Sequence, residues 1–594
     1  MRTFGKITLW SFAILGGLTF SIILAIMVFS LTARDKAPPA PENALLSLDW
    51  NEEMAERHVT LSPLKRVPSP TVLDTVTALE RAAEMPGVKA LEVRLGDAPI
   101  GYARAQELAA AVRTFRASGK KAYVFATDLA AMGDGTPETL LASAFDEVWM
   151  APSGMVGLTG IALEVPFVAD GLEEIGIRVE AEQRHEFKGG ADPLIRDRMS
   201  PAVRGSLQSV ADGLLRQTAE AIAADRDLPL DAVLGLIDTG PHLAREALAA
   251  GLVDRLDYAT AFDAMLDERY GADTPRLGAG RILASEPDET DTVVVEAPPR
   301  VAVLYGVGAI GADGEGFGDP GFDADGLVET LADIARNGGY DAVLFRVDSP
   351  GGAYGPSDAV WHAVKSVKDA GIPVVVSMAD TAASGGYFVS AAADRIVAHP
   401  ATVTGSIGVY SLTLNTAGLW ENLGVRWEYI TAGENAGMFS ATRGFDAAER
   451  ARFAASVDFV YEDFTRKVAE GRSLDQAELN AAARGRIWLG AAAVDAGLVD
   501  RLGGFPEAFA EIRDLLDVDA GTDLDLTVLP APKSAIEAIL EAAQSGEFSL
   551  ALGDWVAAEA ERRVVDRLEE RLGNLNGFET PAGLLAMPPI RLRP

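Results

Sequence analysis

The sequence predicts an α/β protein built as two tandem repeats, and two observations carry that prediction. Continuous apolar runs of about five or six residues alternate with amphipathic helical segments, the pattern of mostly parallel strands buried on both faces. The heptapeptide AGLVDRL occurs at 250–256 and again at 496–502, and similar strand and helix patterns precede both copies in the same order. A tandem duplication explains both.

Taken in chain order, Ile7–Thr32 is uncharged and strongly apolar. As a helix it is about 39 Å long, more than the roughly 30 Å of a bilayer's hydrocarbon core. Arg2, Lys6 and the terminal amine precede it, so the positive-inside rule leaves residues 1–6 in the cytoplasm and exports the remainder. No A-x-A site ends the run, and a retained anchor over 7–32 is expected rather than a cleaved signal peptide. Residues 33–48, opening ARDKAPPAP, are expected to be a tether.

The first repeat is expected over 49–270, with GVKALEVRL (87–95) as a strand, a helix through Ala103–Arg116, KKAYVFATD (120–128) as a strand, a helix near Glu138–Ala144 and the strand DEVWMAP (146–152). A linker mixing glycine, acid and proline is expected over 271–299. The second repeat, 300–525, repeats the order. Its strand Arg300–Val307, helix Asp325–Arg336, strand Ala342–Val347, helix Ser357–Lys368 and strand Pro373–Met378 lead to a short helix from Ser384 and the strand Arg395–Ala398. Residues 526–594 are expected to be a helical extension; charges alternate along 554–572, so that helix is solvated or faces a partner.

Composition narrows the function classes. The chain has 594 residues, 52 basic against 87 acidic, and a formal net charge of −35. A sequence-independent grip on nucleic acid is not expected. Cysteine is absent and histidine occurs five times, which removes thiol nucleophiles and cysteine-based zinc sites. No two histidines have metal-ligand spacing, so neither metal nor cofactor is expected. GVGAIG (306–311) matches G-x-G-x-x-G but runs on into an acid-bearing glycine-rich loop instead of a helix, the wrong context for a pyrophosphate.

Ser384, in TAASGGYFVSAAADRIVAHP (381–400), stands at a predicted strand-to-helix turn and is followed by two glycines. A helix-capping serine would look the same in isolation. The separate DSPGG (348–352), after the preceding strand, adds a second tight glycine turn. Backbone N–H groups from two such turns, aimed at one point, would hold the oxyanion of an acyl transfer.

These motifs, RVDSPGG (346–352), TAASGGYFVSAAADRIVA (381–398) and TGSIGV (404–409), together with KGGADPLIRDRMSPAVR (188–204), resemble the signal peptide peptidase A (protease IV) family in its long, duplicated form. The resemblance spans roughly 45–525. It implies the fold shared by Clp protease and crotonase, a membrane-anchored serine endopeptidase acting on released signal peptides, and a homotetramer at the bacterial inner membrane with a periplasmic catalytic domain. It also implies Ser384 as nucleophile, Lys188 as general base, Ser406 as the residue that orients the lysine, and Gly352 with Gly385 as oxyanion donors. For IRDRMSPAVR the plain reading holds: a helix start with Ser200 as cap and Pro201 at the first position.

The duplication accounts for a site divided between repeats. Shifted by the interval between the AGLVDRL copies, Lys188 falls at Glu434, and Ser384 falls back near Glu138, where no serine precedes glycines. Each half lacks what the other has. His399 and His362 are expected to be structural, Lys365 and Lys368 to lie on an exposed helix, and Lys467 to be solvated. A lysine kept neutral at pH 7 costs about 4.6 kcal/mol if its pKa stays near 10.4, so burial must lower it. If RHEFKGG is extended, Glu186 shares the face of Lys188 and opposes that shift, whereas His185 points the other way. Two rival functions remain: an acyl-CoA enzyme of the crotonase kind, which needs a basic patch the sequence lacks, and a silent peptide-binding scaffold.

Overall fold

Each repeat's apolar runs hydrogen-bond into a largely parallel sheet, in a computed structural model that describes residues 41–57, 70–96, 98–129, 135–285, 297–311, 321–530 and 591–592. The expected tail, the anchor at 7–32 and the helix at 554–572 lie outside the described residues. Among the described residues no helix is long and apolar enough to cross a membrane.

In the first repeat, β1 (Ala44–Trp50), α1 (Val72–Glu84), β2 (Val88–Leu95), α2 (Tyr102–Ala117), β3 (Lys121–Ala126), α3 (Thr136–Ser143) and β4 (Glu147–Met150) follow in turn. The strand β5 (Arg178–Arg184), which pairs antiparallel with residues 409–415 of the second repeat, the long helix α4 (Pro201–Asp225), β6 (Arg255–Leu256) and β7 (Arg276–Leu277) complete it. The six-stranded sheet runs β7-β1-β2-β3-β4-β6 with every pair parallel. Ser200 caps α4 by accepting from the Val203 N–H, and Pro201 opens the helix, as its type and place require.

The second repeat contains β8 (Arg300–Val307), α5 (Ala324–Asn337), β9 (Ala342–Ser349), α6 (Tyr354–Asp369), β10 (Val374–Ala383), α7 (Gly385–Ser390), β11 (Arg395–Ala398), β12 (Val403–Gly405) and β13 (Val409–Asn415). After these come α8 (Ala447–Arg472), β14 (Ile487–Leu489), β15 (Arg501–Leu502), α9 (Phe505–Leu515) and β16 (Asp525–Leu529). The parallel order β16-β8-β9-β10-β11-β15 reproduces that of the first sheet, and the two AGLVDRL copies end in the equivalent strands β6 and β15. Beyond β10 this sheet adds β12 in parallel and β14 antiparallel to β12.

Three expected boundaries move. The tether cannot extend to residue 48, because Ala44–Trp50 is a buried strand paired with β2 along its length. The linker is partly structured, since Leu45 and Leu46 pair with Arg276 and Leu277, and Ala279–Leu283 forms a helical turn. The second repeat runs past 525, because Leu526–Leu529 continue the ladder on β8. In each case an apolar segment beside an open sheet edge gains more by completing backbone hydrogen bonds than by staying solvated.

The repeats share one core. A single apolar cluster joins Leu46, Val93 and Phe115 from the first to Val303, Tyr305, Phe505 and Phe509 from the second. At this junction Arg346 is fully buried; it donates to Glu56 at 2.9 Å, Glu107 at 2.6 Å and Ser377 at 2.9 Å, and lies over the Phe505 ring. Asp380 of β10 accepts from the Ala103 and Arg104 N–H groups at 2.9 and 3.0 Å, capping α2 of the other repeat, whose own N-cap is Gly101. A Cβ at Gly101 would collide with the Asp380 carboxylate. The halves are thus joined by ionic, capping and apolar contacts just below the strand that leads to Ser384.

Candidate active site

β10 ends at Ala383 and α7 begins at Gly385, leaving Ser384 alone in the turn with φ 55° and ψ −116°. A non-glycine residue there carries about 1–3 kcal/mol of strain. The turn is held by the Ser384 N–H, which donates to the Gly405 carbonyl at 2.9 Å. Gly351, with φ 103°, passes so close that a Cβ on it would lie 2.8 Å from the Ser384 Cβ and 2.6 Å from the Gly385 nitrogen. The glycines of DSPGG and SGG are therefore needed for two backbones to pass within contact of each other.

Gly352 and Gly385 lie against one another: a Cβ on Gly385 would sit 2.9 Å from the Gly352 nitrogen. Gly385 opens α7, so its N–H has no intrahelical acceptor. Both amides thus belong to the lining of the Ser384 turn.

Lys188 comes to the same point from the other repeat. β5 stops at Arg184, and the chain then turns, with the Lys188 N–H donating to the His185 carbonyl at 3.1 Å before a short 3₁₀ segment from Gly189. The Lys188 ammonium donates to Ser384 Oγ at 2.9 Å, Ser406 Oγ at 3.0 Å and the Ser406 carbonyl at 2.8 Å. All three donors are used. The side chain is buried, and desolvation pushes its pKa down to about 7.

The extended reading of RHEFKGG is corrected by this turn, and with it the opposition expected from Glu186. The Glu186 carboxylate is turned outward and pairs with Arg484 at 2.9 Å. No carboxylate contributes to the Lys188 shift. His185 stacks edge-on against Tyr461, away from the pair.

Lys467 is also corrected. It is buried, paired with Asp358 and Asp463, and placed over the rings of Trp361 and Phe388. Its Nζ sits over those two rings and beside two acids, contacts that offset the cost of burying it. His362 is exposed. His399 is buried with Nε2 3.6 Å from Glu107, in the junction between repeats.

Residues 484–486, which the sequence reading passed over, hold both Lys188 and Ser406. The Phe187 N–H donates to the Arg484 carbonyl, and the Ser406 N–H donates to the Arg486 carbonyl at 2.7 Å. Between them Gly485, with φ 83°, packs so closely that a Cβ would meet the Lys188 Cβ at 2.5 Å. The R-G-R spacing before the apolar IWL run was the available signal: a glycine demanded by a turn at a strand's edge.

Asp348, at the root of DSPGG, is pushed up to about 7 by burial and by the neighbouring Asp380 carboxylate, against the pull of Arg104. It accepts from the Thr381 N–H at 3.0 Å and ties the two glycine turns together.

Comparison with known proteins adds a family. The profile of "Peptidase family S49" matches residues 114–272 and 366–519, one region in each repeat. The chloroplastic serine protease SPPA of Arabidopsis thaliana is 26% identical over 467 residues, covering 77% of this chain and 68% of its own. Protease 4 of Haemophilus influenzae is 25% identical over 601 residues, covering 95% and 93%. A putative signal peptide peptidase SppA of Enterococcus faecium is 31% identical over 251 residues, covering 42% of this chain and 73% of that one.

Proposed function

The chain belongs to peptidase family S49, is a serine protease, and on that premise we propose that it is a Ser/Lys endopeptidase working through an acyl-enzyme. The observation that carries the dyad is the 2.9 Å contact between Lys188 Nζ and Ser384 Oγ, in a buried setting with no carboxylate to hold the lysine charged.

In the neutral amine two N–H groups remain on the Ser406 hydroxyl and carbonyl, and the lone pair faces the Ser384 hydroxyl. The Ser384 proton passes to Lys188 as Oγ attacks a peptide carbonyl. The Gly352 and Gly385 N–H groups receive the negative charge that forms on the carbonyl oxygen. Lys188 then gives its proton to the leaving amine, and later takes one from the water that releases the acyl group.

The substrates in this reading are apolar peptides, signal peptides among them, as the name of the Enterococcus faecium relative and the motif resemblance support. The uncharged run at 7–32 supports an anchor in the bacterial inner membrane with the catalytic part in the periplasm. A homotetramer is proposed on family resemblance alone.

The test is hydrolysis of apolar peptide esters by the detergent-solubilised full chain and by Ser384→Ala and Lys188→Ala. Loss in both variants is expected. Full activity in either sinks the dyad, and loss in the serine variant alone removes Lys188 from it.

A further inference from the structure

A pocket of about 470 Å³ lies between α4 and β14, within the roughly 300–1,000 Å³ usual for small-ligand sites. Its walls are mostly apolar, including Phe187, Val210, Ile487 and Trp488, and none of Ser384, Lys188, Gly352 or Gly385 lines it. It is a separate site from the reacting pair.

Two arginines, Arg216 and Arg486, line it, and no acidic residue among the described ones does. Arg486 is half-buried between the rings of Phe187 and Trp488, 4.5 and 5.2 Å from their centres. Neither arginine has an ion pair or a side-chain hydrogen bond among the described residues. In a chain with 87 acidic residues against 52 basic ones, two guanidinium groups without a carboxylate in one apolar pocket leave room for an anion from outside. A guanidinium's planar fork matches a carboxylate in bidentate geometry.

We infer that this pocket binds the carboxylate end of an apolar chain, and that its occupant is the C-terminus of a short apolar peptide. The peptide as source rests on the peptidase reading, because cleavage releases such ends; the preference for a carboxylate does not. Arg486, one of the lining residues, also accepts from the Ser406 N–H through its carbonyl.

The test is calorimetric titration of the full chain carrying Ser384→Ala, which removes turnover. The ligands are N-acetyl-Ala-Leu-Leu as the free acid, the same peptide as its C-terminal amide, and decanoate. The acid is expected to bind about tenfold or more tighter than the amide, the size of one lost charge-assisted contact. Arg216→Gln, on the exposed face of α4, and Arg486→Gln should each shrink that preference, and Arg486→Lys should retain part of it.

Equal binding of acid and amide overturns the inference. So does an acid preference that survives both glutamine substitutions together. Decanoate binding without peptide binding overturns the peptide as occupant. Because the assay reads binding without catalysis, its failure leaves the esterase test of the dyad intact.

Discussion

Lys188 Nζ lies 2.9 Å from Ser384 Oγ although 196 positions separate the two residues and each stands in a different repeat. The shared core and the trans cap from Asp380 hold the halves in the relation this contact needs. Removing either side chain is expected to lower kcat for an apolar peptide ester by about 10²–10⁴-fold or more. Steady-state rates of Ser384→Ala and Lys188→Met check this, with folding verified by unchanged circular dichroism.

The activity should fall as pH drops through about 7. A lysine base must be neutral, and the folded pKa of Lys188 is about 7, so in the proposed mechanism kcat/KM should rise to a plateau above that value. Glu186→Gln should leave the midpoint unmoved, since that carboxylate is turned to Arg484. A midpoint that follows Glu186 would contradict the outward placement.

The same shift acts on stability in the same direction. Unfolded, the lysine titrates near 10.4; folded, at about 7. Between these values the unfolded chain binds more protons, so this group makes the fold more stable as pH rises, by up to about 1.4 kcal/mol per unit. Lys188→Met removes that slope. The unfolding free energy of the native chain minus that of the variant should therefore grow by about 2 kcal/mol between pH 7.5 and 9.

Ser406→Ala keeps the carbonyl contact to Lys188 but loses the hydroxyl one. One neutral hydrogen bond is worth about 0.5–1.5 kcal/mol, so kcat should fall by about two- to twelvefold, with KM little changed. A rate equal to the native one would remove Ser406 from the positioning of the lysine.

The buried junction should be fragile to single changes. Glu107 is pushed up by burial, but the adjacent Arg346 outweighs this and holds it well below the usual carboxylate range. Glu107→Ala leaves Arg346 with a partner fewer in a dry setting and should cost about 3–5 kcal/mol. Chemical denaturation measures this, and a loss below about 1 kcal/mol, as for a surface pair, would contradict the cluster's role in joining the repeats.

The repeat architecture, the succession of strands and helices along the chain and the turn at Ser384 were legible in the sequence, because buried parallel strands write themselves as unbroken apolar runs and a tight turn writes itself as glycine. β10 and α7 meet at Ser384 where TAASGG changes from strand to small-residue helix. The edges were less legible. Residues 44–48 looked like the end of a proline-rich tether, and Lys467 looked solvated, since pairing with a neighbouring strand or with Asp358 and Asp463 depends on chain far away in sequence.

By itself the sequence determined two copies of one α/β unit, a serine in a glycine-lined turn in the second, and a lysine in the first with no counterpart across the repeat. The tertiary structure decided that the lysine turns inward while Glu186 turns outward, that residues 484–486 hold Lys188 and Ser406 together, and that two arginines share one apolar pocket. The physical reason is that local propensity and hydrophobic pattern are written along the chain, whereas desolvation and hydrogen-bond partners depend on which distant surfaces close over a side chain.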